Sequence, residues 1–214
     1  DNGAFVDPVT DANNFIASGG AYMTAGYLQP VVDVENGFGL NTTPVNGYDL
    51  SKWVLTFVNR VKAATGATPL IYGSSSHLSA MTSSTSNVVA AAPTLWVANW
   101  TTTTYGDPIT GNGSPPTSPW STWRFWQYSS SGVGSTYGAS SARIDLDVFN
   151  GTTAAQLAAL VVEPEVTVTQ GASAITDGSS SINVGTITNG GTTASATFTV
   201  KNDGNTIMHL SGLT

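Results

Sequence analysis

Two acids, Asp33 and Glu35, stand two residues apart in the stretch PVVDVENG, Pro30 to Gly37, among three valines. Valine favours extended backbone, and on a strand residues i and i+2 project from the same face, with Cα atoms roughly 7 Å apart. Asn36–Gly37 marks the carboxyl end of that strand. In α/β sheets and barrels, active sites gather at this end. Two carboxylates crowded there can divide acid and base roles, because partial burial and the neighbouring charge raise one pKa and keep that group protonated near neutral pH. A protonated carboxylic acid beside an ionised carboxylate is the working pair of glycoside hydrolysis. A metal site, or acids paired with strand-end amides, would use the same two residues.

A second pair, Asp145 and Asp147 in RIDLDVFNG, repeats the i, i+2 spacing. Either acid can face the same pocket from a later strand, or pair with Arg143 as a surface salt bridge. Aromatic residues form a third group: Tyr72, Trp96, Trp100, Trp120, Trp123, Trp126 and Tyr128 sit on or beside expected strands. Aromatic faces stack on the C–H surfaces of sugar rings, and Trp and Tyr add N–H and O–H donors. Trp100, at a strand end before a Thr-rich loop, is the candidate for a ligand face, whereas Trp96 and Trp126 are assigned to core packing. Asn99 and Gln127 are polar residues within apolar strands; they either bond a ligand or hold the acids. Other chemistries lack their residues. His77 and His209 are the only histidines and lie in different segments, HExxH and EF-hand patterns are absent, GSSSH lacks the closing Gly of a nucleophile elbow, and GVGSTYG opens no helix and reads as a loop.

These residues need a frame. DPVTDANNFIASGGAY reads as a helix capped by Asp7 or Thr10 and stopped by Gly19–Gly20. YDLSKWVLTFVNRVKAATG has Leu50, Trp53, Val54, Phe57, Val58 and Val61 at helical spacing, with Gly66 as its stop. Strands are expected at LQPVVDVEN, Thr68 to Tyr72, Thr94 to Asn99, WSTWRFWQYSSSG and ARIDLDVFNG, with a polar helix or loop over Ser75–Ser86, a long loop over Thr101 to Pro119 and a short helix at TTAAQLAALV. This alternation implies α/β architecture with a parallel sheet and helices packed outside it. After Val162 the pattern changes to alternating apolar and polar residues with Gly, Asn and Asp turns, which predicts an incomplete immunoglobulin-like β-sandwich from residue 163 to 214, hinged at Glu163–Pro164.

Composition bounds the partners. Of 214 residues, 40% are apolar and only 9% charged, against roughly 25% charged in ordinary soluble domains. Such a surface of Ser, Thr, Asn and Gly suits an extracellular setting. A net charge of −7 with six Lys and Arg argues against nucleic acid, which requires clustered cations. The absence of cysteine removes disulfides and thiolate chemistry. No apolar run reaches the roughly 20 residues of a membrane helix. The chain begins at Asp1 without Met and reads as a processed product or an excised fragment.

In order and spacing, PVVDVE, the long helix, PLIYG, LWVANW, WRFWQYSSSG and IDLDVFNG resemble glycoside hydrolase family 25, the Chalaropsis-type lysozymes or N-acetylmuramidases, over roughly Asp7 to Gly151. The resemblance implies an irregular β/α, TIM-like barrel for residues 1–162, with its first strands missing, because nothing matches the family's opening strand and its Asp. It implies cleavage of the β-1,4 bond between N-acetylmuramic acid and N-acetylglucosamine in peptidoglycan, with no cofactor and no metal. It implies Glu35 as general acid and Asp33 as the group that orients the substrate's 2-acetamido arm, itself the nucleophile. It implies that Asp145 completes the acidic pocket; beside that set, the residues' own placement makes Tyr72, Asn99, Trp100, Gln127 and Asp147 the candidate substrate contacts. The setting implied is secreted or cell-surface, in bacteria. The alternative is a non-catalytic wall-binding or structural surface protein built on the same fold.

Overall fold

The computed structural model describes residues 5–35, 45–81, 83–100, 114–164, 166–176, 182, 184–186, 189–191 and 195–211. The strand stop at Asn36–Gly37, most of the expected loop from Thr101 to Pro119 and parts of the segment after Gly171 lie outside them.

Helix α1 (Pro8–Gly19) starts as its sequence dictates: the Asp7 carboxylate accepts from the amides of Val9 and Thr10, and Pro8 supplies a first residue that needs no amide partner. Helix α2 (Leu50–Thr65) is capped by Asp49 through the Lys52 amide and closed by Gly66 at φ 77°, a left-handed position suited to glycine. Leu50, Val54, Phe57, Val58 and Val61 are buried as the periodicity predicts, and Trp53 is half-buried with its indole N–H on the Val6 carbonyl.

Strands β1 (Val31–Asp33), β2 (Leu70–Ser74), β3 (Leu95–Ala98), β4 (Phe125–Val133) and β5 (Arg143–Phe149) form one sheet in sequence order. The first three pairings are parallel and the last is antiparallel. A short turn over Gly134–Tyr137 followed by Gly138 at φ 75° connects β4 to β5, too brief for the crossover that a parallel pair needs. GVGSTYG covers the last two residues of β4 and this turn, and opens no α-helix. Strand β2 begins two residues later than the sequence suggests. The Thr68 amide bonds the Asn205 carbonyl and Pro69 has no N–H, so the parallel ladder starts with the Leu70 amide on Pro30. The polar stretch after β2 contains two helices, α3 (Ser75–Leu78) and α4 (Thr85–Ala91), and α5 (Ala154–Ala158) opens with a Thr153/Gln156 capping box.

Register sorts the two faces. Val32, Ile71, Leu95, Val97 and Trp126 project to one side and are buried against Ala12 of α1, Val54, Val58 and Val61 of α2, and Val88 of α4. Residues in the opposite phase form two rows on the other side: Asp33, Tyr72, Trp96, Phe125 and Phe149, then Ser74, Ala98, Gln127 and Asp147. That face carries the expected chemistry.

Beyond Val162, β6 (Val166–Gln170), β7 (Ser173–Ile175) and β8 (Phe198–Asn202) form an antiparallel sheet of order β7-β6-β8. The described residues give this one three-stranded sheet, without the second layer of a sandwich. Asn205 ties the segment to the α/β unit at the amino-terminal ends of the parallel strands, away from the acids. Its Oδ1 accepts from the Glu163 amide at 3.0 Å, its Nδ2 donates to the Val161 carbonyl at 2.6 Å, and its carbonyl accepts from the Thr68 amide at 3.2 Å. Asn205→Ala removes two good side-chain bonds at a half-buried junction and is expected to cost about 1–3 kcal/mol in urea denaturation.

Candidate active site

Every acid anticipated in the sequence stands on the open face. Asp33 ends β1, and Glu35 follows the strand, where the Val34 amide extends the ladder to the Tyr72 carbonyl at 2.8 Å. The two strands approach unusually closely beyond that point: a Cβ on Gly73 would lie 2.6 Å from the Val34 carbonyl oxygen. A larger residue at 73 would push away the backbone that carries Glu35. From the far edge of the sheet, Asp145 and Asp147 of β5 point to the same side by their i, i+2 spacing, with Asp147 opposite Gln127.

Tyr72 lies among all four acids. Burial, and then the charges of Glu35, Asp33, Asp145 and Asp147, push its phenol up to about 12. The phenol therefore stays a neutral O–H donor across the working range, and it donates to Gln127 Oε1 at 3.0 Å. The Trp100 indole N–H donates to the same oxygen at 2.8 Å. Because an indole N–H can only donate, the amide orientation of Gln127 is fixed chemically: its oxygen meets the two aromatics. Gln127 is buried, so its first effect is to position Tyr72 and Trp100. Trp100 is 62% exposed and presents a broad aromatic surface. Behind it, the Asn99 carbonyl accepts from the Trp126 indole at 2.8 Å, and the Asn99 side chain donates to Ser75 Oγ at 3.3 Å.

Trp96 departs from its expected place. The sequence places it in the core with Trp126, but the phase of β3 turns it onto the acid face, where its N–H donates to Asp147 Oδ1 at 2.7 Å. Trp126 is fully buried on the opposite side. The signal available in the sequence was the phase itself. In LWVA, Leu95 and Val97 claim the core, leaving Trp96 to the other side, whereas in FWQY the polar Gln127 marks the open side and sends Trp126 inward. The serines of GSSSH at the end of β2, which make no nucleophile elbow, belong to the site in another way. With Glu35, His77, Ala98, Asn99 and Trp100, residues Ser74, Ser75 and Ser76 line an open groove of about 660 Å³.

Two of the acids hold protons beyond the ordinary aspartate range. Burial pushes Asp33 up, and the Glu35 charge adds to it; burial likewise raises Asp147, with the Trp96 bond opposing and Asp145 adding. Both side chains reach solvent, yet the aromatic face around them strips part of their water. A folded-state pKa above the unfolded value means that the native state binds more protons across that window. Stability then falls as pH rises through it, and the cost persists above it. Asp33→Asn removes that cost. The variant is expected to melt above the wild type at pH 7, with the gap closing as pH falls towards 3; equal melting at pH 7 would contradict the assignment. Among the described residues no group of three or more His, Cys, Asp or Glu is placed to hold a metal ion.

Comparison with known proteins adds to this geometry. Residues 4–136 match the sequence pattern of Glycosyl hydrolases family 25. Lysozyme M1 of Streptomyces globisporus is 32% identical over 154 residues, which cover 69% of this chain and 46% of that protein. The crystal structure of the bacterial lysozyme from Streptomyces coelicolor aligns with a TM-score of 0.54 at 29% identity, covering 73% of this chain and 66% of that one. The spore cortex lytic enzyme SleM of Clostridium perfringens shares the fold at a TM-score of 0.51 and 16% identity, covering 89% of this chain and 63% of that one. The chain thus spans less than half the length of lysozyme M1, and Asp145 and Asp147 lie beyond the residues matched to the family.

Proposed function

The chain belongs to glycosyl hydrolases family 25, and from that premise we propose that it is a peptidoglycan muramidase, hydrolysing the β-1,4 bond between N-acetylmuramic acid and N-acetylglucosamine outside the cell. The observation that carries this reading is that four carboxylates act electrostatically on Tyr72 on one face of the mixed sheet, with Glu35 just past the carboxyl end of β1 opening onto a groove. In this proposal residues 1–162 belong to the family's irregular β/α barrel and residues 163–214 to an appended immunoglobulin-like module.

Glu35 is the general acid: it protonates the glycosidic oxygen as the bond to the muramic anomeric carbon breaks. The acetamido carbonyl oxygen of the same sugar attacks that carbon from the opposite face, giving a cyclic oxazolinium, and the N-acetylglucosamine leaves as its 4-hydroxyl. Asp33 orients the acetamido arm and takes the hydrogen bond of its N–H, which acidifies as the ring closes. Water then opens the intermediate, and Glu35, now ionised, takes the water's proton. Asp145 adds negative potential opposite the developing oxocarbenium charge. Trp100 stacks on a sugar ring, with Tyr72, Asn99, Gln127 and Asp147 fixing the polar frame around it.

Incubation with purified cell walls tests this directly. Turbidity should fall, and borohydride reduction of the products should convert N-acetylmuramic acid, the sugar left with the new reducing end, into its alditol. Reduced N-acetylglucosamine instead would place the cut at the other bond. Wall binding without turbidity loss or new reducing ends would favour a non-catalytic glycan-binding protein, a reading to which the exposed and fixed Trp100 also lends itself.

A further inference from the structure

The groove beside Glu35 has a chemistry that the proton-transfer steps leave unused. Its walls are Ser74, Ser75 and Ser76 at the end of β2 and start of α3, His77 of α3, and Ala98, Asn99 and Trp100 at the end of β3. His77 is fixed along one edge of its ring. Its Nδ1 lies 2.8 Å from Ser74 Oγ, that oxygen also accepts from the His77 amide at 3.2 Å, and Ser76 Oγ lies 3.0 Å from it. Among the described residues Nε2 has no hydrogen-bond partner. The lining therefore presents hydroxyls, an imidazole edge and an amide, groups that meet oxygen acceptors. Among the described lining residues, His77 is the only one able to carry a positive charge. On the neighbouring face Asp33, Asp145 and Asp147 gather negative charge around Tyr72.

We propose that this groove seats the 3-O-lactyl arm of N-acetylmuramic acid, with His77 as the residue that distinguishes a muramic-acid glycan from a chitin-type glycan. The proposal rests on the muramidase reading above and names a substrate feature that reading leaves open. The two glycans share their backbone linkage and acetamido groups; they differ in this arm, which carries a carboxylate when no peptide is attached. Three aspartates repel a carboxylate on the sheet face, whereas the serine and imidazole edge accepts it, as a charge-assisted bond when the imidazole is protonated. Among the described residues, the titratable groups on the elements around His77 are Glu35, which lines the same groove after β1, and Tyr72 of β2, the strand on which α3 packs and whose phenol stays neutral. Asn99 and Trp100, which follow β3, do not titrate.

Calorimetric binding of peptide-free muramic-acid oligosaccharides and of chito-oligosaccharides of equal length, at pH 5 and pH 8, tests the assignment on the wild-type chain and on His77→Gln. The wild type should bind the muramic oligosaccharide about tenfold more tightly at pH 5 than at pH 8, and the chito-oligosaccharide equally at both. His77→Gln should lose the pH 5 gain and keep chito-oligosaccharide binding. Wild-type behaviour of His77→Gln, or an equal loss for both glycans, overturns the proposal. Wall lysis reports on the muramidase reading separately: absent lysis with the pH 5 preference intact defeats that reading and leaves the groove assignment standing, while lysis without the preference does the reverse.

Discussion

Glu35→Gln is expected to lower the rate of wall lysis by about 10²–10⁴-fold, the usual worth of a positioned general acid, while glycan affinity stays within a few-fold of the wild type. The substitution preserves shape and hydrogen-bonding capacity but removes the proton that the leaving oxygen needs. Because the loss falls on the chemical step, kcat should drop and KM should not. The same change in a binding protein would leave nothing to lose, so a variant that clears walls as fast as the wild type removes Glu35 from the reaction. Glu35 stands at the groove while Asp33 lies two residues earlier, beside Tyr72 in the sheet. This difference in depth supports giving the proton transfer to Glu35 and the orientation of the acetamido arm to Asp33.

The largest loss of stability is expected from Trp126→Ala, about 3–5 kcal/mol, or a fall in melting temperature of roughly 10 °C. Trp126 is fully buried, packs edge-on against Trp123 with ring centroids 5.8 Å apart, and neighbours Val97 and Val148 across the sheet. Its loss leaves a cavity between sheet and helices and also frees the Asn99 carbonyl that its N–H holds. Since the Asn99 amide bonds the Gln127 carbonyl at 3.0 Å, the damage reaches the residue before Trp100. Trp126→Phe keeps most of the volume and loses the N–H, so it should cost about 1–2 kcal/mol in urea denaturation. If Ala and Phe cost the same, the hydrogen bond and not the packing dominates at this site.

Much of this architecture was legible in order and spacing. The helical stripe from Leu50 to Val61 is buried as predicted because a 3.6-residue period permits one apolar face and no other. Asp7, Asp49 and Gly66 close helix ends because their side chains, or the lack of one, meet needs fixed by the backbone. Alternation in the tail identifies strands but not how many layers they form; the described residues make one antiparallel sheet, without the second layer of an immunoglobulin-like sandwich.

By itself, then, the sequence determined the α/β order, the strand that ends at Asp33 just before Glu35, and the aromatic and acidic residues available to a site, because these follow from local periodicity and from motifs a few residues long. Only the tertiary structure decided which of them meet. The pairing register put Tyr72 among four acids, two at the end of β1 and just after it and two on β5 at the opposite edge of the sheet, and turned Trp96 out of the core onto Asp147. It also joined Ser74–His77 to Glu35 in one groove. Register slips by whole residues, and each slip reverses which face every side chain takes. That choice is made by the packing of α1, α2 and α4 on one side of the sheet, a long-range balance of buried area that no short stretch of this chain contains.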